Sequence, residues 1–191
     1  MFPPATANLQ VSSSISSPLI NRYLKHLIDP NNAEVFFAKA NAHASIGQTR
    51  ESVDAYMKAI EIDPSHDKSY YNLGALYTSQ NNLPKAEDAF HKAIQANAKN
   101  TKARESLGQV LVDQKKFTEA IPVLQKVVQD DPKSWKGYFL LARAFNGVGQ
   151  SGEAIAAGEK GVAARKYGGT YVEMGDAYLK MGDKSKAKEC Y

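Results

Sequence analysis

Gly147, Gly149 and Gly152 spell Gly-x-Gly-x-x-Gly, a pattern that cradles a pyrophosphate when it joins a strand to the helix after it. Here a helix precedes it, so it reads as a glycine-rich turn between two helices. The four histidines, His26, His43, His66 and His91, are far apart and have no cysteine at metal-ligand spacing, so no metal site is expected. Serine, histidine and acidic residues are all present, but no nucleophile carries a local signature. The lone cysteine, Cys190, has no partner for an internal disulfide and suits a reducing compartment. The chain is therefore expected to be non-catalytic and to need no cofactor. Lys68, Lys102 and Lys136 recur at one fixed interval.

Such residues need elements to hold them, and 191 residues with 43% hydrophobic content suffice to bury a core. The formal charge of +4 is spread along the chain rather than gathered in a run, which argues against nucleic acid as the partner. No window approaches the ~18 apolar residues of a membrane span, and the first residues lack the basic and apolar stretches of a signal peptide. A cytoplasmic chain with no membrane span is expected.

A fixed interval organises the sequence: Pro30, Pro64, Ala98 and Pro132 stand 34 residues apart. Cutting there gives units 33–66, 67–100, 101–134 and 135–167, with a partial fifth unit 168–191. Each reads as two amphipathic helices joined by a short polar or Gly-containing turn. In the second unit Tyr70, Leu73, Gly74 and Tyr77 share one helix face. Gln80, Asn81 and Asn82 form the turn, and Pro84 sits where a first-turn proline is tolerated. Ala86, Phe90 and Ala93 then line the second helix. Residues 1–16 are expected to be a mobile N-terminal segment. Ile20, Tyr23, Leu24, Leu27 and Ile28 have helical spacing and suggest a capping helix, a degenerate half-repeat, over 17–32.

These units resemble the tetratricopeptide repeat, whose pattern is an aromatic residue, Leu-Gly, Tyr, then Ala, Phe and Pro at set intervals. The small position of the first helix is filled by Ala40, Gly74, Gly108, Ala142 and Gly175, and that of the second by Ser52, Ala86, Ala120, Ala154 and Ala187. Large knobs recur at His43, Tyr77, Leu111, Phe145 and Tyr178, and at Tyr56, Phe90, Leu124 and Tyr191. Lys39 and His43 depart from the pattern, which implies a less covered first repeat. Gly158 and Gly161 replace an aromatic residue and Ala, which implies a soft fourth layer. The resemblance implies an all-α fold, a right-handed α-solenoid. The fifth unit stops early, so the chain is expected to end before its fold does, or to hide a sticky C-terminal edge by self-association.

In the family resembled, positions 2, 5, 6, 9, 12 and 13 of each first helix line a concave groove. The resemblance places there the basic ladder Lys68, Lys102 and Lys136, the aromatic row Phe37, Tyr71 and Phe139, and beside them Asn41, Asn72, Gln109 and Arg143. It implies a scaffold or adaptor that binds a protein or peptide bearing acidic and apolar side chains. Other readings are a non-catalytic arm of a larger enzyme or complex, a clamp for chaperone tails and an RNA-binding helical repeat. The clamp positions hold Phe37, Asn41, Asn72, Lys102 and Ser106, so the expected first Lys and last Arg are missing. The RNA reading fits a period of 35 and a more basic groove better than this period of 34 with Glu105 and Asp113 in the groove.

Overall fold

The computed structural model describes residues 31–191, and among these there are ten α-helices and no strand. The expected mobile segment 1–16 lies outside the described residues, as does the expected capping helix 17–32 except for its last two positions. Asn31 lies in a turn, and Asn32 caps the first helix by accepting from Glu34 N–H at 3.0 Å.

The helices pair in chain order: α1 (Ala33–Ser45) with α2 (Thr49–Ile62), α3 (Asp67–Ser79) with α4 (Leu83–Ala96), and α5 (Thr101–Asp113) with α6 (Phe117–Asp130). Then come α7 (Trp135–Gly147) with α8 (Ser151–Ala164), and α9 (Gly168–Lys180) with α10 (Lys184–Cys190). Each hairpin closes through a residue of positive φ, namely Gly47, Asn81, Lys115, Gly149 and Gly182. Left-handed backbone is what a tight helix–helix turn requires, and Gly and Asn adopt it most cheaply.

Within a hairpin the two helices approach through a small residue and the knob sixteen positions later. A methyl added at Gly74 would lie 2.7 Å from Phe90 Cε1, one at Gly108 would lie 2.4 Å from Leu124 Cδ2, and one at Gly175 would lie 2.7 Å from Tyr191 Cζ. In the fourth hairpin the arrangement is inverted. Ala142 occupies the first helix, Gly158 is buried in the second, and Met174 from the next hairpin fills the space, 2.4 Å from where a Gly158 methyl would be. The missing aromatic ring is thus replaced by a flexible thioether side chain, which adapts to an irregular gap, and α8 runs unbroken through both Gly158 and Gly161.

Phe90, Leu107, Leu111, Leu124 and Leu140 are essentially inaccessible and form one continuous core along the stack. Cores of such solenoids are built from each hairpin's contact with its neighbours. The first hairpin is less covered: α1 buries only Ala40, Lys39 is exposed, and His43 Nδ1 meets the exposed Gln48 Oε1 at 2.6 Å. Its buried Ser52 hydroxyl, where the other hairpins carry Ala, donates to Ala40 C=O at 2.9 Å, which satisfies a polar group inside the interface.

Candidate functional site

Among the first helices of the hairpins, α1 with α3, α5 with α7 and α7 with α9 are joined by polar side-chain contacts, and Asp67 of α3 accepts from Asn100, the cap of α5. Lys68 lies 3.9 Å from Glu34 and Lys136 lies 3.1 Å from Glu105. Two rungs of the expected basic ladder are therefore set against carboxylates of the preceding hairpin, and their positive charge is partly neutralised. Lys102 is exposed, with no ion pair among the described residues. Gln109 donates to Asp113 at 3.0 Å, within α5.

The two asparagines are drawn together. Tyr56 hydroxyl donates to Asn41 Oδ1 at 2.5 Å, and Asn72 Nδ2 donates to the same oxygen at 2.8 Å and to the tyrosine oxygen at 3.0 Å. Burial pushes the Tyr56 pKa above its ordinary value, against the opposing effect of its Asn72 and Ser52 contacts. Asn41 and Asn72 thus tie α1, α2 and α3 together, and much of their hydrogen-bonding capacity is spent on that.

The aromatic residues are half-buried, each against a different ring. Phe37 lies 5.2 Å from His66 and 6.0 Å from Tyr56, Tyr71 lies 5.8 Å from Phe90, and Phe139 meets Tyr167 edge-on at 5.2 Å. At the far end Arg143 Nε is 3.8 Å from the largely buried Glu173 carboxylate. Asn146 donates to that carboxylate at 3.0 Å and to the Glu173 carbonyl at 2.7 Å, and its own carbonyl accepts from Lys180 at 2.8 Å. The result is a face of alternating charges with half-exposed rings between them.

The glycine pattern separates into unrelated tasks. Gly147 faces the Phe117 ring, 2.3 Å from where a methyl would stand, Gly149 is the turn residue at φ +80°, and Gly152 has no neighbouring atom within 4 Å of an added methyl. The histidines also part company. His66 Nδ1 accepts from Ser69 N–H at 3.2 Å as the cap of α3, His43 lies on α1 and His91 on α4, and His26 lies outside the described residues. Among the described residues no group of three potential metal ligands assembles.

A linear stack of two-helix units, closed by small residues and lined by one helix of each pair, defines an α-solenoid of the repeat-scaffold class. Family models described as tetratricopeptide repeat match residues 67–100, 105–168 and 169–191, and one described as TPR repeat matches residues 40–78. The chain belongs to the tetratricopeptide repeat family, whose members generally serve as non-catalytic scaffolds for protein–protein interaction. Solved structures similar to it include YrrB, described as a TPR protein with an unusual peptide-binding site, at 23% identity and a TM-score of 0.79, with 89% of this chain and 87% of that one covered. MamA is similar at 20% identity and a TM-score of 0.79, covering 83% and 87% of the two chains. MamA 41-end from Desulfovibrio magneticus RS-1 aligns at 21% identity and a TM-score of 0.77, covering 83% and 90%. A comparison with curated proteins finds no match. No helix among the described residues is long and apolar enough to cross a membrane.

One group escaped the reading of the sequence. Trp135 and Tyr167 lie 4.8 Å apart, and the Arg165 guanidinium lies over the Trp135 ring at 4.7 Å. With Phe139 they make an aromatic cluster at the junction of the fourth and fifth hairpins. The signal was present in the repeat itself, because Arg165 stands where the other linkers carry Asp63, Asn97 and Asp131.

Proposed function

We propose that the face formed by the first helices is a groove that holds a segment of a protein partner carrying acidic and apolar side chains. The single observation that supports this most is the combination of Lys102, exposed and without a carboxylate of its own among the described residues, with half-exposed rings on either side of it, Tyr71 on α3 and Phe139 on α7. A cation with no internal partner is free to meet an incoming carboxylate, and neighbouring rings offer apolar contact at small entropic cost. Lys68, Lys136 and Arg143 contribute less, because each already faces Glu34, Glu105 or Glu173. The groove is thus selective: an acidic segment is drawn to Lys102, while the glutamates repel acidic chains that enter in other registers. YrrB, with its peptide-binding site, is a precedent for a ligand of this kind on this fold. The alternatives, an arm of a larger enzyme or complex and the chaperone-tail clamp, draw less support. The clamp would need cations where Phe37 and Ser106 stand.

Affinity capture from the source cell, comparing wild type with Lys102→Glu combined with Arg143→Gln, tests the reading. Both side chains are exposed, so helicity should be unchanged and stability altered by less than ~0.5 kcal/mol. Partners held in the groove should be lost from the variant and retained by wild type at low salt. Equal recovery by both would show that binding uses another surface.

A further inference from the structure

Four linkers connect one hairpin to the next, and three of them share two devices. At their first residue Asp63, Asn97 and Asp131 accept from the N–H two residues on, of Ser65 at 2.9 Å, Lys99 at 3.0 Å and Lys133 at 3.0 Å. At their last residue His66, Asn100 and Ser134 cap the next helix, accepting from the N–H of Ser69, Ala103 and Gly137. The first device turns the chain just after the preceding helix, and the second places a side-chain acceptor on backbone donors at the start of the next.

The fourth linker has neither. It is one residue shorter, Arg165-Lys166-Tyr167, and no side chain caps α9. The Tyr167 ring lies instead against Trp135 and Phe139, and Arg165 lies over Trp135. Lys166 is exposed and has no ion pair among the described residues, and a methyl on Gly168 would find open space. The third residue of α9 adds an independent sign. Thr170 is fully buried and its hydroxyl has no hydrogen-bond partner among the described residues, whereas the hydroxyl of Ser69, at the same place in α3, lies 2.8 Å from the cap His66 Nδ1. Buried polar groups in native folds are nearly always satisfied, and among the first helices α9 is the one that starts without a capping side chain.

The site therefore combines open N–H donors at the start of α9, an unpartnered hydroxyl at its third residue, two cations and a wall of three aromatic rings. Helix N-termini favour anions through their dipole and free donors. Arginine and lysine add charge-assisted bonds, and Trp, Tyr and Phe present apolar area at low entropic cost. We propose that this junction is the anchor for the protein segment held in the groove, receiving an acidic side chain at the start of α9 and the apolar residue beside it on Trp135, Phe139 and Tyr167. This rests on the groove reading and deepens it, since Phe139 belongs to both. It also fixes position: the acidic anchor docks at the fourth linker, and the rest of the segment extends toward Lys102.

Titration of the full chain, labelled with ¹⁵N, by short synthetic peptides that alternate Asp or Glu with Phe or Leu tests this. The same peptides carrying Asn and Gln, and inorganic phosphate, serve as comparisons. The acidic peptides should shift the amides of Gly168, Gly169 and Thr170 and the Trp135 indole N–H, and the amide-bearing peptides should not. Arg165→Glu with Lys166→Glu, both exposed, should weaken binding by about tenfold or more through loss of charge-assisted bonds. Tyr167→Asn, which removes one ring of the wall and supplies a capping side chain in its place, should weaken the peptide while the helicity of the chain is retained. Shifts along Tyr71, Lys102 and Phe139 without shifts at Gly168 to Thr170 would overturn the anchor and leave the groove standing. The absence of peptide shifts on either surface would overturn both. Shifts from phosphate alone would reduce the junction to an adventitious anion site and overturn the anchor.

Discussion

Phe90 lies against Gly74 so closely that no other residue fits there without displacement. An added methyl would meet the Phe90 ring at 2.7 to 3.0 Å, and the ring is itself held at 1% exposure. Gly74→Ala should therefore destabilise the protein by about 1–3 kcal/mol, because overpacking outweighs the better helix propensity of alanine. Gly152 is the reverse case. It lies in the first turn of α8 with nothing within 4 Å of an added methyl, so Gly152→Ala should stabilise by up to ~1 kcal/mol. Urea unfolding of both variants would check this, and a loss of the same size in each would show that packing against Phe90 does not govern the Gly74 position.

At the scale of the element, helices are set more by their ends and neighbours than by their own propensity. Pro122 is exposed in the interior of α6, where it removes a hydrogen bond to the carbonyl four residues earlier. Nevertheless α6 continues to Asp130, because Ala120, Leu124 and Val127 are buried against neighbouring helices. The ends differ among hairpins. Ser69 N–H is held by both the carbonyl and the ring nitrogen of His66, whereas Thr170 N–H has only the Tyr167 carbonyl. Local opening should therefore be easier at the start of α9, and hydrogen exchange should be faster at Gly169 and Thr170 than at Lys68 and Ser69. Equal protection would show that the aromatic cluster holds this junction as firmly as a cap does.

At the scale of the molecule, stability is the sum of neighbour contacts, and one ion pair bridges consecutive hairpins in a way that pH can reveal. Glu87 of α4 accepts from Lys116 at 2.8 Å and from Gln114 at 2.6 Å, both in the turn between α5 and α6. Burial acts to raise the Glu87 pKa, but the bonds from Lys116 and Gln114 outweigh it and hold the carboxyl below its ordinary value. A carboxyl depressed in the folded state adds stability that is complete above its unfolded pKa of about 4.3 and is lost as pH falls through the folded value. Glu87→Gln should therefore be less stable than wild type at neutral pH, with the gap closing as the solution is acidified past that range. Denaturant midpoints near neutrality and in acid would check it; a gap that is the same in both means that the charge of Glu87 is not what joins the hairpins.

The repeated elements were legible in the sequence, because the devices that make them are local and periodic. The 34-residue interval, the small residues from Ala40 to Gly175 and the turn residues Gly47, Asn81 and Gly149 each specify a helix, an approach or a reversal from their own chemistry. The candidate site was legible only as a set of positions. That Lys68 and Lys136 face glutamates, and that Asn41 and Asn72 share one acceptor, depends on side chains from different hairpins meeting across about one full repeat of sequence. Gly158 read as a defect because its partner, Met174, belongs to the next hairpin. The Trp135, Tyr167 and Arg165 cluster was hidden for the same reason. Its rings are brought within 5 Å only by the stacking of α7 on α9, and which side chain fills a gap between two helices is decided by packing, not by the spacing along either one.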